Sequence, residues 1–266
     1  MSTTHPSNTT STSVTDARVA LVTGGARGIG AGIARRLARD GLTIAIADLD
    51  AAGARASAQA LGARHSAHRI DVSDEGSVRA CFDEVEAQHG PIAVLINNAG
   101  LLILPGGERP MIRDMSLDTW ERSFAVNARG SFLCSREYLQ RREREPVQGG
   151  RVVFFGSVAA QLGGYRSSAA YIGAKAAVMG FAKGFARESA HLGITANTIA
   201  PGLIDTDMLR STVGSSGDLE AAARNIPLGR IGVVDDVADA VGYLVSRAAD
   251  YITGSVIDVN GGYRMQ

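Results

Sequence analysis

Short apolar runs alternate with longer stretches of helical periodicity along most of the chain, beginning near Arg18. The short runs are rich in Val, Ile and Leu and are apolar throughout, without the polar alternation of a half-exposed strand. This pattern is typical of parallel strands buried on both faces and joined by helices in right-handed crossovers. It predicts an α/β fold, a doubly wound parallel sheet with helices on both faces. The seven predicted strands cover residues 19–23, 43–47, 68–70, 92–96, 151–155, 195–199 and 255–259.

The length of 266 residues suits a single α/β domain, which is assigned to residues 17–266. Residues 1–16 are rich in Ser and Thr and lack the basic start and apolar stretch of a secretion signal, so they are predicted to form a disordered tail. Between residues 203 and 230 the periodicity loosens around Gly214 and Gly217. This stretch is predicted to be a mobile flap over a substrate site.

The charge balance limits the classes of partner. Lys plus Arg and Asp plus Glu both number 27, so the chain lacks the net positive field that favours nucleic acid or an anionic membrane surface. No run approaches the roughly 18 consecutive apolar residues of a membrane span. We therefore expect a cytoplasmic protein whose partner is a small molecule.

The cysteines and histidines carry no metal or disulfide pattern. Cys81 and Cys134 each fall within a predicted helix, without a CxxC motif, and are expected to be small buried hydrophobic side chains. The five histidines are scattered, without an HExxH or similar cluster. No metal site is assigned.

A glycine-rich turn follows the first predicted strand and leads into a helix. Gly24, Gly28 and Gly30 would let the backbone approach a pyrophosphate and let the helix N-terminus present its amides to it. A purely structural turn would have the same composition. Asp48, at the end of the second strand, is the second feature, because a carboxylate there can bind ribose hydroxyls and repel a 2′-phosphate. Together they predict NAD as cofactor rather than NADP, although Arg27 in the turn could face a phosphate.

The TGxxxGxG spacing of this turn and the Asn-Asn-Ala-Gly motif at residues 97–100 resemble the classical short-chain dehydrogenase/reductase family. Taken alone, Asn98 could be a turn residue and Asp71 a helix cap. The resemblance covers about residues 19–263 and implies a Rossmann-like domain with strand order 3-2-1-4-5-6-7. The chain is similar to the subgroup containing 3-oxoacyl-thioester reductases and sugar or polyol dehydrogenases. The cofactor site that the resemblance implies contains Gly24, Arg27, Gly28, Ile29, Gly30, Asp48, Leu49, Asp71, Val72, Asn98, Ala99, Gly100, Tyr171, Lys175, Pro201, Gly202, Ile204 and Thr206.

Tyr171 and Lys175 lie four residues apart in a predicted helix over residues 169–191, which places them on one face. A positive charge beside a tyrosine favours the phenolate and so permits proton exchange near neutral pH. An aromatic core contact beside a solvated lysine would have the same spacing, but the family motif is YxxxK. The resemblance also implies two further catalytic residues. These are Ser157, which would orient the substrate, and Asn127, which would link the lysine to a proton-relay water; Asn127 could otherwise be a helix-interior residue.

One spacing departs from the family pattern. Ser157 precedes Tyr171 by fourteen residues, where thirteen is usual. The residue at the usual distance is Val158, which cannot donate a hydrogen bond. We infer one extra residue in the loop 159–166, whose two glycines could absorb it. Ser167 and Ser168 lie close to the predicted helix start and are interpreted as caps, so the assignment stays with Ser157.

These residues predict an NAD(H)-dependent oxidoreductase that interconverts a secondary alcohol and a ketone, with Tyr171 as general acid and base. A largely apolar pocket favours an uncharged substrate, although Arg166 and Arg210 could reach a carboxylate or phosphate. A 3-oxoacyl-thioester reductase is the alternative enzyme, and an NAD-sensing scaffold is the non-enzymatic one. The resemblance implies a homotetramer. The predicted substrate pocket contains Leu101, Leu102, Val158, Ala159, Leu162, Tyr165, Leu203 and Met208.

Overall fold

The protein is described by a computed structural model that covers residues 18–164, 166–213 and 216–265. Three sequence-based predictions fall wholly or partly outside this range. The predicted tail over residues 1–16, Tyr165 of the predicted pocket and Gly214 of the predicted flap are not among the described residues.

Seven strands form one sheet. They are β1 (Val19–Thr23), β2 (Thr43–Asp48), β3 (Ser66–Arg69), β4 (Ile92–Asn97), β5 (Arg151–Phe155), β6 (Thr195–Pro201) and β7 (Val256–Val259). Their order across the sheet is β3-β2-β1-β4-β5-β6-β7, and all neighbouring strands are parallel. The predicted topology is therefore confirmed.

The third strand begins earlier than predicted. The expected run was 68–70, whereas β3 begins at Ser66 and ends at Arg69. Ser66 and His68 are buried polar residues whose side chains satisfy each other, with Ser66 Oγ lying 2.8 Å from His68 Nε2. Because this pair is polar, hydropathy does not reveal that the strand includes it.

Helices cover both faces of the sheet. They are α1 (Gly28–Arg39), α2 (Ala51–Leu61), α3 (Glu75–His89), α4 (Leu117–Phe124), α5 (Gly130–Arg144), α6 (Val158–Leu162), α7 (Ala169–Ser189), α8 (Asp207–Val213), α9 (Ser216–Ala223) and α10 (Val234–Val245). A π-helical turn, Ala125–Arg129, joins α4 to α5.

Successive residues of each buried strand point to opposite faces, which creates two cores. Leu21 belongs to the core beneath α3, α5 and α7, where it is buried with Phe82. Val22 belongs to the core beneath α1, α2 and α10, where it is buried with Ile33. Burial on both faces explains why the central strands β1 and β4 are apolar at nearly every position.

Both cysteines are free and buried. Burial raises the pKa of the Cys81 thiol to about 12, and it also raises that of Cys134, so neither thiol is reactive near neutral pH. Among the described residues no group of three or more His, Cys, Asp or Glu side chains is arranged to hold a metal ion. No helix in the described part of the chain is long and apolar enough to cross a membrane.

The parallel arrangement brings the carboxyl ends of all strands to one edge of the sheet. The chain order reverses between β1 and β4, where the connections leave towards opposite faces. In open α/β sheets a crevice opens at such a point, and it is where ligands bind.

Candidate active site

The turn after β1 requires glycine at specific positions. Gly24 and Gly28 adopt positive φ angles of 64° and 55°. A Cβ atom on Gly30 would lie 2.1 Å from the carbonyl oxygen of Gly24 and 2.6 Å from Asn98 Nδ2. Neither separation is possible for a real side chain, so α1 can approach the turn this closely only with glycine at residue 30.

The N-terminus of α1 opens towards a cavity. The Arg27 side chain at its N-cap makes no capping hydrogen bond to the described residues of the first turn. Gly28, Ile29 and Gly30 line the cavity, so donor groups of the helix end face it. An anionic group placed there would be favoured by these donors and by the helix dipole.

Asn98 connects the glycine turn to the end of β4 by hydrogen bonds. Its Nδ2 atom donates to the carbonyl oxygens of Thr23, at 3.0 Å, and Gly24, at 2.9 Å. The Thr23 hydroxyl in turn donates to the Ile96 carbonyl at 3.0 Å and accepts from the amide of Ala99 at 3.2 Å. The Asn-Asn-Ala-Gly segment thus holds the glycine turn in shape besides lining the cavity.

Asp48 ends β2 with its carboxylate beside the same cavity. Its Oδ2 atom accepts a hydrogen bond of 3.0 Å from the amide of Ala26, and Oδ1 accepts one of 3.0 Å from the amide of Asp50. These two bonds fix the orientation of the carboxylate, and each oxygen keeps a further lone pair for a ligand. Arg27 is exposed and also lines the cavity.

A single cavity of about 750 Å³ collects almost the whole predicted site. Its lining includes Gly24, Arg27, Gly28, Ile29, Gly30, Asp48, Leu49, Asp71, Val72, Asn98, Ala99, Gly100, Ser157, Tyr171, Lys175, Pro201, Gly202, Ile204 and Thr206. Of the predicted catalytic and cofactor-binding residues, Asn127 alone does not line it; this residue lies behind Leu101, which does.

Tyr171 and Lys175 lie on the first turns of α7, whose N-cap is Ser168. Lys175 is only 4% exposed, and its Nζ atom donates to the carbonyl oxygen of Phe155 at 3.0 Å. The ammonium lies 5.9 Å from the centroid of the Tyr171 ring. Burial lowers the pKa of Lys175 to about 8, because removing the ammonium from water penalises its charged form.

Ser157 is the serine that reaches Tyr171. Burial raises the pKa of the Tyr171 phenol, and a side-chain hydrogen bond with Ser157 partly offsets this by favouring the phenolate. Ser157 also forms the N-cap of α6, where its Oγ atom accepts a hydrogen bond of 3.1 Å from the amide of Ala159. Ser168 caps α7, as expected, and accepts from the Tyr171 amide at 3.3 Å.

Between Ser157 and Tyr171 the chain forms the short helix α6, where a loop was predicted over residues 159–166. The short helix α6 ends at Gly163, which has the left-handed φ of 78°. Ser157, which follows β5, and Tyr171, near the start of α7, line the same cavity with this fourteen-residue spacing.

Asn127 is fully buried in the π-helical turn between α4 and α5. Its Oδ1 atom accepts from the Leu101 amide at 3.1 Å, and its Nδ2 atom donates to the carbonyl oxygens of Leu101 at 2.9 Å and Ser123 at 3.0 Å. The buried amide is thereby satisfied. A Cβ atom on Gly100 would lie 2.8 Å from Asn127 Oδ1 and 3.3 Å from Lys175 Nζ, so glycine there makes room for both groups.

The substrate end of the cavity differs in part from the prediction. Leu162 does not line it, because this residue ends α6 with its side chain 51% exposed. Arg166 lines the cavity, whereas Arg210 is held away by two hydrogen bonds to Asp205, of 2.8 and 3.1 Å. The pocket residues that the structure does bring together are Leu101, Leu102, Val158, Ala159, Leu203 and Met208.

A family model described as enoyl-(acyl carrier protein) reductase, from the short-chain dehydrogenase/reductases, matches residues 24–264. The chain belongs to the short-chain dehydrogenase/reductase family. It is accordingly an oxidoreductase.

Curated relatives of this short-chain dehydrogenase/reductase match over nearly their whole length. The 3-oxoacyl-(acyl-carrier-protein) reductase of Escherichia coli is 34% identical, over 94% of this chain and 98% of its own. The D-threitol dehydrogenase of Mycolicibacterium smegmatis is 38% identical, over 94% of each chain. A solved blue fluorescent protein from a metagenomic library, in complex with NADPH, is 35% identical with a TM-score of 0.83, over 93% of this chain and 98% of its own.

Some site residues of this family member were not found from the sequence. Thr23 begins the TGxxxGxG motif, but the sequence assigned its hydroxyl no role. In the structure this hydroxyl joins β1 to the segment after β4 by hydrogen bonds. Ser211 and Thr212 of α8 add hydroxyl groups to the cavity wall. The loose periodicity around α8 carries no signal for this, because the direction of a short surface helix depends on tertiary contacts.

Proposed function

We propose that this short-chain dehydrogenase/reductase uses NAD(H) to interconvert a secondary alcohol and its ketone, with Tyr171 as the proton-transfer residue. The observation that carries the proposal is that Ser157, Tyr171 and buried Lys175 line one cavity together with Asp48, with Tyr171 and Lys175 one helical turn apart on α7. Proton exchange, substrate orientation and ribose recognition are thereby combined in one site.

A dinucleotide fits the residues that are present. The glycine turn leaves a cradle that a Cβ at residue 30 would fill, and the α1 N-terminus faces it with backbone donors, as a pyrophosphate requires. Asp48 would hold the adenosine ribose, and Pro201 and Gly202 at the end of β6 would hold the nicotinamide end. When bound, the nicotinamide supplies the hydride acceptor for oxidation and the hydride donor for reduction.

Tyr171 takes the hydroxyl proton of the alcohol in oxidation and returns a proton to the ketone oxygen in reduction. Its raised pKa keeps the phenol protonated at neutral pH, as the reductive direction requires. Lys175 stabilises the phenolate formed in oxidation through its positive charge. Ser157 donates a hydrogen bond to the substrate oxygen, and Asn127 holds the backbone of Leu101 at the cavity wall beside Lys175.

NAD is preferred over NADP in this proposal because of Asp48. A carboxylate fixed by two backbone amides cannot turn away from a 2′-phosphate without losing those bonds. The relatives do not favour NAD uniformly, since the similar blue fluorescent protein was solved with NADPH.

Polyols and other uncharged secondary alcohols are the first substrate class. The similarity to a D-threitol dehydrogenase supports a polyol, and the apolar lining of the substrate end supports an uncharged substrate. A 3-oxoacyl-thioester is the second candidate. It is supported by the Escherichia coli relative and by Arg166, which lines the cavity and could pair with the phosphate of an acyl carrier.

The experiment is a turnover panel in both directions. NAD and NADP are each tested with polyols and simple secondary alcohols, and NADH and NADPH with 3-oxoacyl thioesters. Highest kcat/KM for an alcohol with NAD supports the first class, and highest kcat/KM for a thioester with NADPH supports the second. Binding of NAD without turnover of any substrate would favour a scaffold and contradict the enzymatic proposal.

A homotetramer in the cytoplasm, with residues 203–230 as a substrate flap, completes the proposal. Trp120 of α4 and Phe132 of α5 are large side chains that are substantially exposed in the isolated chain, and they support assembly through these helices. Light scattering that gives the mass of a monomer would contradict the assembly.

A further inference from the structure

The short helix that carries Ser157 at its N-cap is tied to the far strand of the sheet. Helix α6 has only five residues, too few to hold a position by its own backbone hydrogen bonds. Its Gln161 side chain is half buried, and the Nε2 atom donates to Asp258 Oδ1 on β7 at 2.9 Å. This bond joins residues 97 positions apart in the chain, so it fixes α6 relative to the sheet.

The carboxylate that receives this bond is itself held from the other side. Asp258 Oδ2 accepts a hydrogen bond of 3.0 Å from Arg264 Nη1, and the two side chains are only 17% and 24% exposed. The Arg264 carbonyl accepts a bond of 3.1 Å from Asn260 Nδ2. The last described residues of the chain therefore fold back on β7 and lock the orientation of Asp258.

The same strand is attached to the predicted nicotinamide end. Asp258 pairs with Ala200 of β6, and the next residue, Val259, accepts a hydrogen bond of 2.9 Å from the Gly202 amide through its carbonyl oxygen. Asp258 thus lies between the helix that follows Ser157 and the strand end that leads to Gly202. Loss of the bond to this carboxylate would free α6, and Ser157 at its N-cap, to move relative to the strand end that leads to Gly202.

We propose that Gln161, Asp258 and Arg264 form a positioning tether that holds Ser157 in register with the nicotinamide end of the site. The inference rests on the proposed function, since it acts through Ser157. None of these three side chains lines the cavity, so none is assigned a contact with the substrate or the nicotinamide. Their effect is to limit the movement of α6, because a misplacement of about 1 Å at a reacting centre costs up to about a hundredfold in rate.

The test uses an exchange of donor and acceptor. Gln161→Glu places a carboxylate against Asp258 and abolishes the bond, whereas the double variant Gln161→Glu with Asp258→Asn restores it with the donor on residue 258, and the asparagine oxygen can still accept from Arg264. We expect kcat to fall about tenfold in Gln161→Glu and to recover to within about threefold in the double variant. The dissociation constant for NAD, measured by titration, should change less than about twofold. Gln59→Glu, at an exposed position of α2, is the control for added charge and should keep wild-type kcat.

A second cycle shows whether the tether acts through Ser157. In a Ser157→Ala background Gln161→Glu should cause no further loss of kcat, whereas independent structural damage would multiply the two losses. Wild-type kcat in Gln161→Glu, failure of the double variant to recover, or multiplied losses would each overturn the tether. Wild-type kcat in Ser157→Ala would overturn the proposed function and the tether with it. If Gln161→Glu does not fold, Gln161→Asn, which keeps the amide but shortens its reach, replaces it with the same expected loss.

Discussion

Replacing Asp48 with asparagine should shift cofactor preference towards NADP. The change keeps the shape of the side chain and one of its two backbone hydrogen bonds, but removes the negative charge. A 2′-phosphate carries about −1.5 to −2 charges near neutral pH. At about 4 Å each unit pair costs about 1 kcal/mol in water and about 4 kcal/mol at an effective dielectric constant of 20.

Multiplied by the charge of the phosphate, this range becomes about 1.5–8 kcal/mol, and because Asp48 is half buried its repulsion should fall in the lower part. We take about 2–4 kcal/mol, which corresponds to about 30- to 1,000-fold in the preference for NAD. The variant should lose most of this preference, and part of the change should be a weaker affinity for NAD because one acceptor for the ribose is lost.

The assay is kcat/KM for NAD and NADP with the best alcohol of the panel. Asp50→Asn is a matched control, because Asp50 is an exposed neighbouring carboxylate whose side chain caps α2 and does not line the cavity. It should leave the preference unchanged. A wild-type protein that prefers NADP, or an Asp48→Asn variant with an unchanged ratio, would refute the reasoning.

Three further predictions concern cofactor binding and stability. Gly30→Ala should weaken NADH binding more than about tenfold and destabilise the protein by about 1–3 kcal/mol, because its Cβ would lie 2.1 Å from a backbone oxygen. Fluorescence titration measures the binding and urea unfolding the stability. The control Gly76→Ala, whose Cβ would contact only one oxygen at 3.4 Å, should change neither. Burial lowers the pKa of Lys175 from 10.5 to about 8, so the unfolded chain binds more protons in this window and wild-type stability should rise there with pH. The free energy of unfolding should rise by about 2 kcal/mol between pH 7.5 and 10 in the wild type and should not rise in Lys175→Met. An equal rise in both proteins would contradict the lowered pKa of Lys175. Asn127→Ala should cost about 2–4 kcal/mol in urea unfolding because buried backbone groups lose their partners, whereas exposed Asn225→Ala should cost less than about 0.5 kcal/mol.

The sheet could be predicted because its strands are buried on both faces. Continuous apolar runs gave β1 and β5 with the observed bounds. The edge strand β3 was misplaced by two residues because it begins with the buried polar residues Ser66 and His68, and their mutual hydrogen bond has no hydropathy signal. The pattern of apolar residues therefore predicts strands well where burial alone determines which residue types occur.

The candidate site was predictable where a motif reflects a backbone requirement. Gly30 is such a residue, since close contact between the turn and α1 excludes any side chain. The surroundings of Asn127 in the π-helical turn were not predictable, because its side chain is held by hydrogen bonds to Leu101, 26 residues away in the chain. Leu162 was wrongly placed in the pocket, because the sequence does not determine which way the short helix α6 points.

The most direct test of the account is kcat of Tyr171→Phe with the best alcohol and NAD. Phenylalanine keeps the ring and its packing but cannot exchange a proton. We expect kcat to fall about 1,000-fold, within the range that general acid–base catalysis contributes, while the dissociation constant for NADH changes less than about threefold. A variant that keeps kcat within about threefold of wild type would contradict the central claim that Tyr171 transfers the proton.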